Sequence, residues 1–108
     1  MGKYVMVVQS QAKEGRDQEY NDWYDKVHFA DICAIPGVTG GRRFDATPVG
    51  LGAAMLPYLA TFDIETGNPA SILAEMGQRS AAGQMAPCDA LDAPATVLRF
   101  FEVHSSPA

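Results

Sequence analysis

The sequence predicts an α+β domain in which a four-stranded antiparallel sheet carries two helices on one face. Three observations lead there: four short runs rich in β-branched and aromatic residues, two stretches in which apolar residues recur every three or four positions, and the order β-α-β-β-α-β. The 108 residues make one domain, 1–108, and 47% hydrophobic residues supply a core.

The first run, Lys3–Gln9 (KYVMVVQ), is apolar on both alternating sets of positions, as in a strand covered on both faces. From about Arg16 to Ala34 the period lengthens. Tyr20, Trp23, Tyr24, Val27, Ala30 and Ala34 form a helical stripe, with Asp22, Asp25 and Lys26 opposite. Pro36-Gly37 closes that helix. Val38–Asp45 (VTGGRRFD) reads as a second strand whose two glycines mark a bulge, a bend or a close approach. The Pro- and Gly-rich loop Ala46–Pro57 leads to Tyr58–Glu65 (YLATFDIE), an alternating third strand. Asn68 then stands as a helix cap with Pro69 in the first turn, and Ile72, Leu73, Met76 and Ser80 follow at helical spacing up to about Gly83. After a loop containing Pro87 and Pro94 comes the last strand, Thr96–His104, and Ser105–Ala108 is a tail. This order is the split βαβ, or ferredoxin-like, arrangement.

Two helices cover only one face of such a sheet, yet its strands are apolar on both. Leu98, Phe100 and His104 point one way and Val97, Phe101 and Val103 the other; Tyr58, Phe62 and Ile64 alternate with Leu59 and Thr61. At about 25 cal/mol per Å² an open apolar face is a strong association surface. A second copy of the same sheet is the simplest cover, which predicts a two-fold homodimer in preference to a monomer.

Composition narrows the partners. With 8 Lys+Arg against 13 Asp+Glu the formal charge is −5, and no basic cluster exists beyond Arg42–Arg43, so nucleic acid is not expected. Met1–Ala12 lacks the pattern of a targeting signal, and the apolar stretch around Ala53–Ala60 is short and contains Pro57; the expectation is a soluble cytoplasmic protein with no membrane partner. Cys33 and Cys88 read as reduced bystanders. Gly50-Leu51-Gly52 is a fragment of a dinucleotide fingerprint without its third glycine or its crossover, and no nucleophile elbow, zinc pair or phosphate loop occurs. Only two histidines exist, neither with a second ligand at a convincing spacing, so no metal, haem or other cofactor is expected.

The candidate chemistry therefore rests on ordinary side chains of the first helix. At about 100° per residue, Tyr24 and His28 are neighbours one turn apart beside the apolar stripe. With Tyr20 at zero, Asp31 falls about 20° away and His28 about 80° away, so Asp31 projects toward the buried side with His28 on its edge. A carboxylate so placed can hold one imidazole tautomer and raise its pKa. The plainer alternatives are a boundary histidine, core roles for Trp23 and Tyr20, a solvated face for Asp22 and Asp25, surface ion pairs for the arginines, and a strand-end place for His104.

The run NDWYDKVHFADICAIPGVTGGRRF resembles the N-W/Y-x-x-x-H-x-x-[DE]…P-G segment of dimeric α/β-barrel proteins, in particular the EthD-like and RedY-like (HapK-like) groups. The likeness is best over residues 3–45, and the later elements fit the same layout. His28 matches the motif histidine and Asp31 its acidic partner; Phe29-Ala30 stands where many relatives have Leu-Pro. The resemblance implies two ferredoxin-like sheets paired into a barrel, with a cleft between sheet and helices. It also implies a range of activities that includes cyclases, isomerases, dehydratases, cofactor-free monooxygenases and haem-handling enzymes. Within that range the expected function is a lyase, cyclase or isomerase acting on a small aromatic or enolisable carbonyl compound. His28 is its general acid/base, and Tyr24 a hydrogen-bond donor to a developing enolate or phenolate. Arg42 or Arg43 binds a carboxylate or phenolate oxygen, strand parity leaving the choice open, and Trp23, Tyr58 and Phe62 form an apolar wall. The alternatives are a non-catalytic small-molecule binding or accessory protein and a cofactor-free monooxygenase. His28 is expected to look into a hollow whose floor forms only when two protomers close.

Overall fold

Strands β1 (Gly2–Ser10), β2 (Val38–Asp45), β3 (Tyr58–Thr66) and β4 (Val97–Glu102) form one antiparallel sheet in the order β2-β3-β1-β4. The computed structural model describes residues 1–105. The two strands that are apolar on one complete face, β1 and β3, lie at the centre and pair along their whole length, from Gly2 opposite Thr66 to Ser10 opposite Tyr58. The α+β class and the ferredoxin-like order are those expected. β4 is shorter than Thr96–His104 by residues at both ends, and the expected tail lies, from residue 106, outside the described residues.

The first helix departs from the sequence expectation in one respect. Helix α1 (Asp17–Trp23) passes without a break through a π turn, Tyr24–His28, into α2 (Phe29–Cys33). The amide of Phe29 bonds the carbonyl of Tyr24, five residues back. The extra residue turns everything beyond it by about 100° relative to a straight α-helix. Tyr20 and Tyr24 face the core as expected, but beyond the turn Ile32 and Ile35 are buried while Ala30 and Ala34 are exposed and Val27 sits at the rim. The single stripe predicted from an even period is thus two stripes offset by one residue.

A second extra residue lies in β2. Val38 stands opposite Ile64, but Gly40 stands opposite Asp63, so the register shifts by one between them. Paired residues share a face. Arg43 opposite buried Ala60 therefore faces the helices with Gly41, while Arg42 opposite Thr61 and Phe44 opposite Leu59 face the other way. Plain alternation, without the bulge, would put Val38 on one face with Arg42 and Phe44.

Helix α3 (Ala70–Ala81) begins as its sequence dictates: the Asn68 side-chain oxygen accepts the amide of Ala70 at 3.1 Å, Pro69 precedes the helix, and Ile72 is its buried residue. It ends where Gly83 turns the chain at φ +75°. The core lies between sheet and helices and contains Met6 and Val8 of β1, Ala60, Phe62 and Ile64 of β3, and Tyr20, Tyr24, Ile32 and Ile72 of the helices. The other sheet face carries no helix. There Val97, Phe101, Val103 and Phe44 remain exposed, Phe101 to 59%. At one end of that face the 46–57 loop bounds a half-open hollow of about 430 Å³ with Gln9, Phe44 and Leu59. No described helix is long and apolar enough to cross a membrane.

Candidate active site

The π turn creates the site. In an α-helix, residues five apart point about 140° away from each other. Here Trp23 and His28 lie face to face, ring centroids 4.3 Å apart and planes 19° from parallel. Tyr24 meets the same imidazole edge-on at 4.8 Å. The Trp23 indole N–H donates to the Ala86 carbonyl at 2.9 Å, which ties the stack to the segment after α3. Beneath it, Tyr20 packs on both Trp23 and Tyr24 and shares a hydrogen bond with Ser10 of β1.

Two polar atoms of this cluster are enclosed and find no hydrogen-bond partner in the protein: His28 Nδ1 and the Tyr24 hydroxyl oxygen. Leaving such an atom unpaired costs about 1–3 kcal/mol, and both atoms belong to rings that touch each other. Burial pushes the imidazole from its ordinary 6.5 down to about 4; the charge of Arg43 acts in the same direction and that of Asp31 opposes it. Burial likewise pushes the Tyr24 phenol up. At neutral pH the site offers a neutral imidazole beside a protonated phenol. Asp31 does act upward on the pKa of His28, as expected, but it makes no bond to Nδ1 and desolvation outweighs it, so the net shift is downward.

Arg43 reaches the cluster from β2. Its guanidinium lies 4.2 Å from the centre of the Tyr24 ring and 5.7 Å from those of Tyr20 and Tyr58. Its nitrogens donate to Asp25 at 2.8 Å and to the Asn21 side-chain oxygen at 2.9 Å. Tyr58 in turn donates its hydroxyl to Asp17 at 2.5 Å.

The residues singled out from the sequence thus divide. Trp23, Tyr24, His28, Arg43 and Tyr58 form one connected cluster. Asp31 lies half-buried beyond the π turn, rotated away from the side predicted for it. Phe62 is fully buried against Phe29, with ring centroids 5.4 Å apart, and belongs to the floor of the core. Arg42 lies on the opposite sheet face over Phe44, 5.5 Å from its ring. Within one protomer the hollow bounded by the 46–57 loop does not open onto His28. The imidazole sits in the helical layer over its own chain's rings, and the 430 Å³ hollow is across the sheet. Asp17, Asn21 and Asp25 were missed as participants, although their four-residue spacing along one ridge beside Tyr20 and Tyr24 was there to read. Among the described residues, no three His, Cys, Asp or Glu side chains gather as a metal centre would.

A four-stranded antiparallel sheet in ferredoxin-like order with its helices on one face defines the fold class. No protein-family model matches the sequence, and no curated protein does. Solved structures share the fold. An EthD-like protein from Ralstonia eutropha JMP134 superposes with a TM-score of 0.66 at 17% identity, covering 100% of this chain and 97% of its own. A dimeric ferredoxin-like protein of unknown function from Jannaschia sp. CCS1 gives 0.63 at 15% identity over 94% and 100% of the two chains. HapK from Hahella chejuensis gives 0.52 at 16% over 100% and 98%. The fold is therefore the one shared by EthD-like proteins and HapK, as the motif around His28 implied.

Proposed function

We propose that the protein is a homodimeric, cofactor-independent enzyme of lyase, cyclase or isomerase type that moves a proton on a small aromatic or enolisable carbonyl compound. The observation that carries this reading is the enclosed, unpartnered and neutral His28 imidazole beside the unpartnered Tyr24 hydroxyl. A neutral imidazole takes a proton from carbon. The electron pair left behind collects on the carbonyl oxygen, where the Tyr24 O–H donates a hydrogen bond. The low pKa keeps His28 unprotonated at neutral pH and makes the imidazolium a strong acid that returns the proton to carbon or to a leaving oxygen. Trp23 already stacks on the imidazole, and a substrate ring takes its place against the remaining rings when the indole moves aside. Arg43 has both terminal nitrogens engaged, so a substrate carboxylate competes with Asp25 for it. Asp31 acts only as a charge at a distance. The homodimer draws support from the uncovered apolar face and from the dimeric Jannaschia neighbour.

The test is solvent deuterium incorporation, followed by NMR, into a panel of aryl ketones and β-dicarbonyl compounds. His28→Gln should slow exchange at least about 100-fold with fold and assembly unchanged, the range that loss of a general base produces. Undiminished exchange removes His28 from the mechanism. Calorimetric binding without exchange indicates a binding protein, and oxygen consumption with an aromatic substrate indicates the monooxygenase alternative.

A further inference from the structure

Two one-residue irregularities meet at a single side chain. The π turn adds a residue to the first helix, and the shift between Val38 and Gly40 adds one to β2. The strand bulge turns Arg43 toward the helices. There its guanidinium bonds Asn21, in α1 before the π turn, and Asp25, inside it, while lying over the Tyr24 ring at 4.2 Å from its centre. Tyr24 is the ring that abuts the imidazole. The Arg43 side chain is 16% exposed, whereas that of Asp25 is 63% exposed, so the cation is the buried member of the ion pair.

We propose that Arg43 is a positioning residue for His28: held in a box of tyrosine rings and forked between Asn21 and Asp25, it fastens the π turn from the sheet and sets a fixed positive charge one ring away from the imidazole. The proposal rests on the proposed function for its catalytic meaning, but not for its physical content. A fixed positive charge one ring away from an enclosed imidazole opposes a second positive charge there. The charged groups acting on His28 are Arg43 from β2 and Asp31 from its own helix, and Trp23 and Tyr24 are its neutral neighbours. A planar fork with two engaged ends also fixes the turn in a way that a point charge does not.

The experiment is an NMR titration of His28 in a His104→Gln background, which leaves one histidine to observe, and it needs no substrate. Arg43→Met should raise the midpoint, by less than burial lowers it, because a nearby cation is lost. Asp25→Asn should lower it, because the cation loses its counter-charge. Arg43→Lys should stay between wild type and Arg43→Met. Opposite signs for Arg43→Met and Asp25→Asn support the proposal. A rise in both means that the turn merely loosens and lets water in, and no change in either means that Arg43 does not govern the imidazole; both results overturn it. Should Arg43→Met fail to fold, the exposed Asp25→Asn decides alone: a fall supports, a rise or no change overturns. Loss of deuterium exchange from the wild-type protein would defeat the proposed reaction while leaving these titrations intact.

Discussion

A histidine that stays neutral in the folded protein and becomes charged in the unfolded one links stability to pH. Unfolded, His28 takes up its proton near the ordinary 6.5; folded, only near about 4. Between those values the unfolded chain binds more protons, so the folded state loses stability as pH falls from 6.5 toward 4. The full loss approaches about 3 kcal/mol. Denaturant titrations at pH 7 and pH 4.5 should show this component in the wild type and not in His28→Gln; identical pH dependence in the two would place the imidazole in water. At this scale the sequence was partly legible. The spacing of Tyr24 and His28 correctly made them neighbours, and the choice of His28 needed only its place beside aromatic residues. The direction of its pKa was not legible, because it depends on how far the Trp23 ring covers it, and Trp23 and His28 touch only in the π turn.

The elements owe their shape to two insertions and to the glycine that lets one of them fit. Gly41 is paired with Phe62, whose ring crosses over it: a Cβ there would stand 2.7 Å from the Phe62 ring and 2.9 Å from the Thr61 carbonyl oxygen. Gly41→Ala should therefore cost about 1–3 kcal/mol, as forced overpacking does, read as a lower denaturant midpoint with an unchanged slope. A cost near zero would mean that the strand relaxes without loss. The strands, the cap at Asn68 and the two-helix order were readable from alternation and punctuation. The π turn was not, since Tyr24–His28 contains no proline or glycine to announce it. Its trace is Ile32 and Ile35, strongly apolar residues that fall off the stripe drawn through Val27 and Ala30. The strand bulge was foreshadowed by Gly40-Gly41, although it lies one residue earlier, and its one extra residue decides which arginine faces the helices.

As a whole the molecule is a slab of 42 × 41 × 21 Å, one sheet under one layer of helices. Its bare sheet face carries Phe101 at 59% exposure and Val97 at more than two-fifths, both on β4, with Val103 just beyond its end likewise exposed. A protomer pairing through that face should become monomeric when Phe101 is replaced by Glu, with the helix-side core untouched; sedimentation velocity reads the change, and an unaltered assembly would move the interface elsewhere. The four strands and two helices were legible because each rests on periodicity, and their order along the chain implied helices on one face. What covers the bare face is a property of two chains, and one sequence shows only that a cover is wanted. The slab's thinness bears on the imidazole as well. With no point of the backbone deeper than half of 21 Å from a broad surface, the protomer cannot seclude a side chain by depth. On its outer side the dryness that holds His28 neutral is one indole thick.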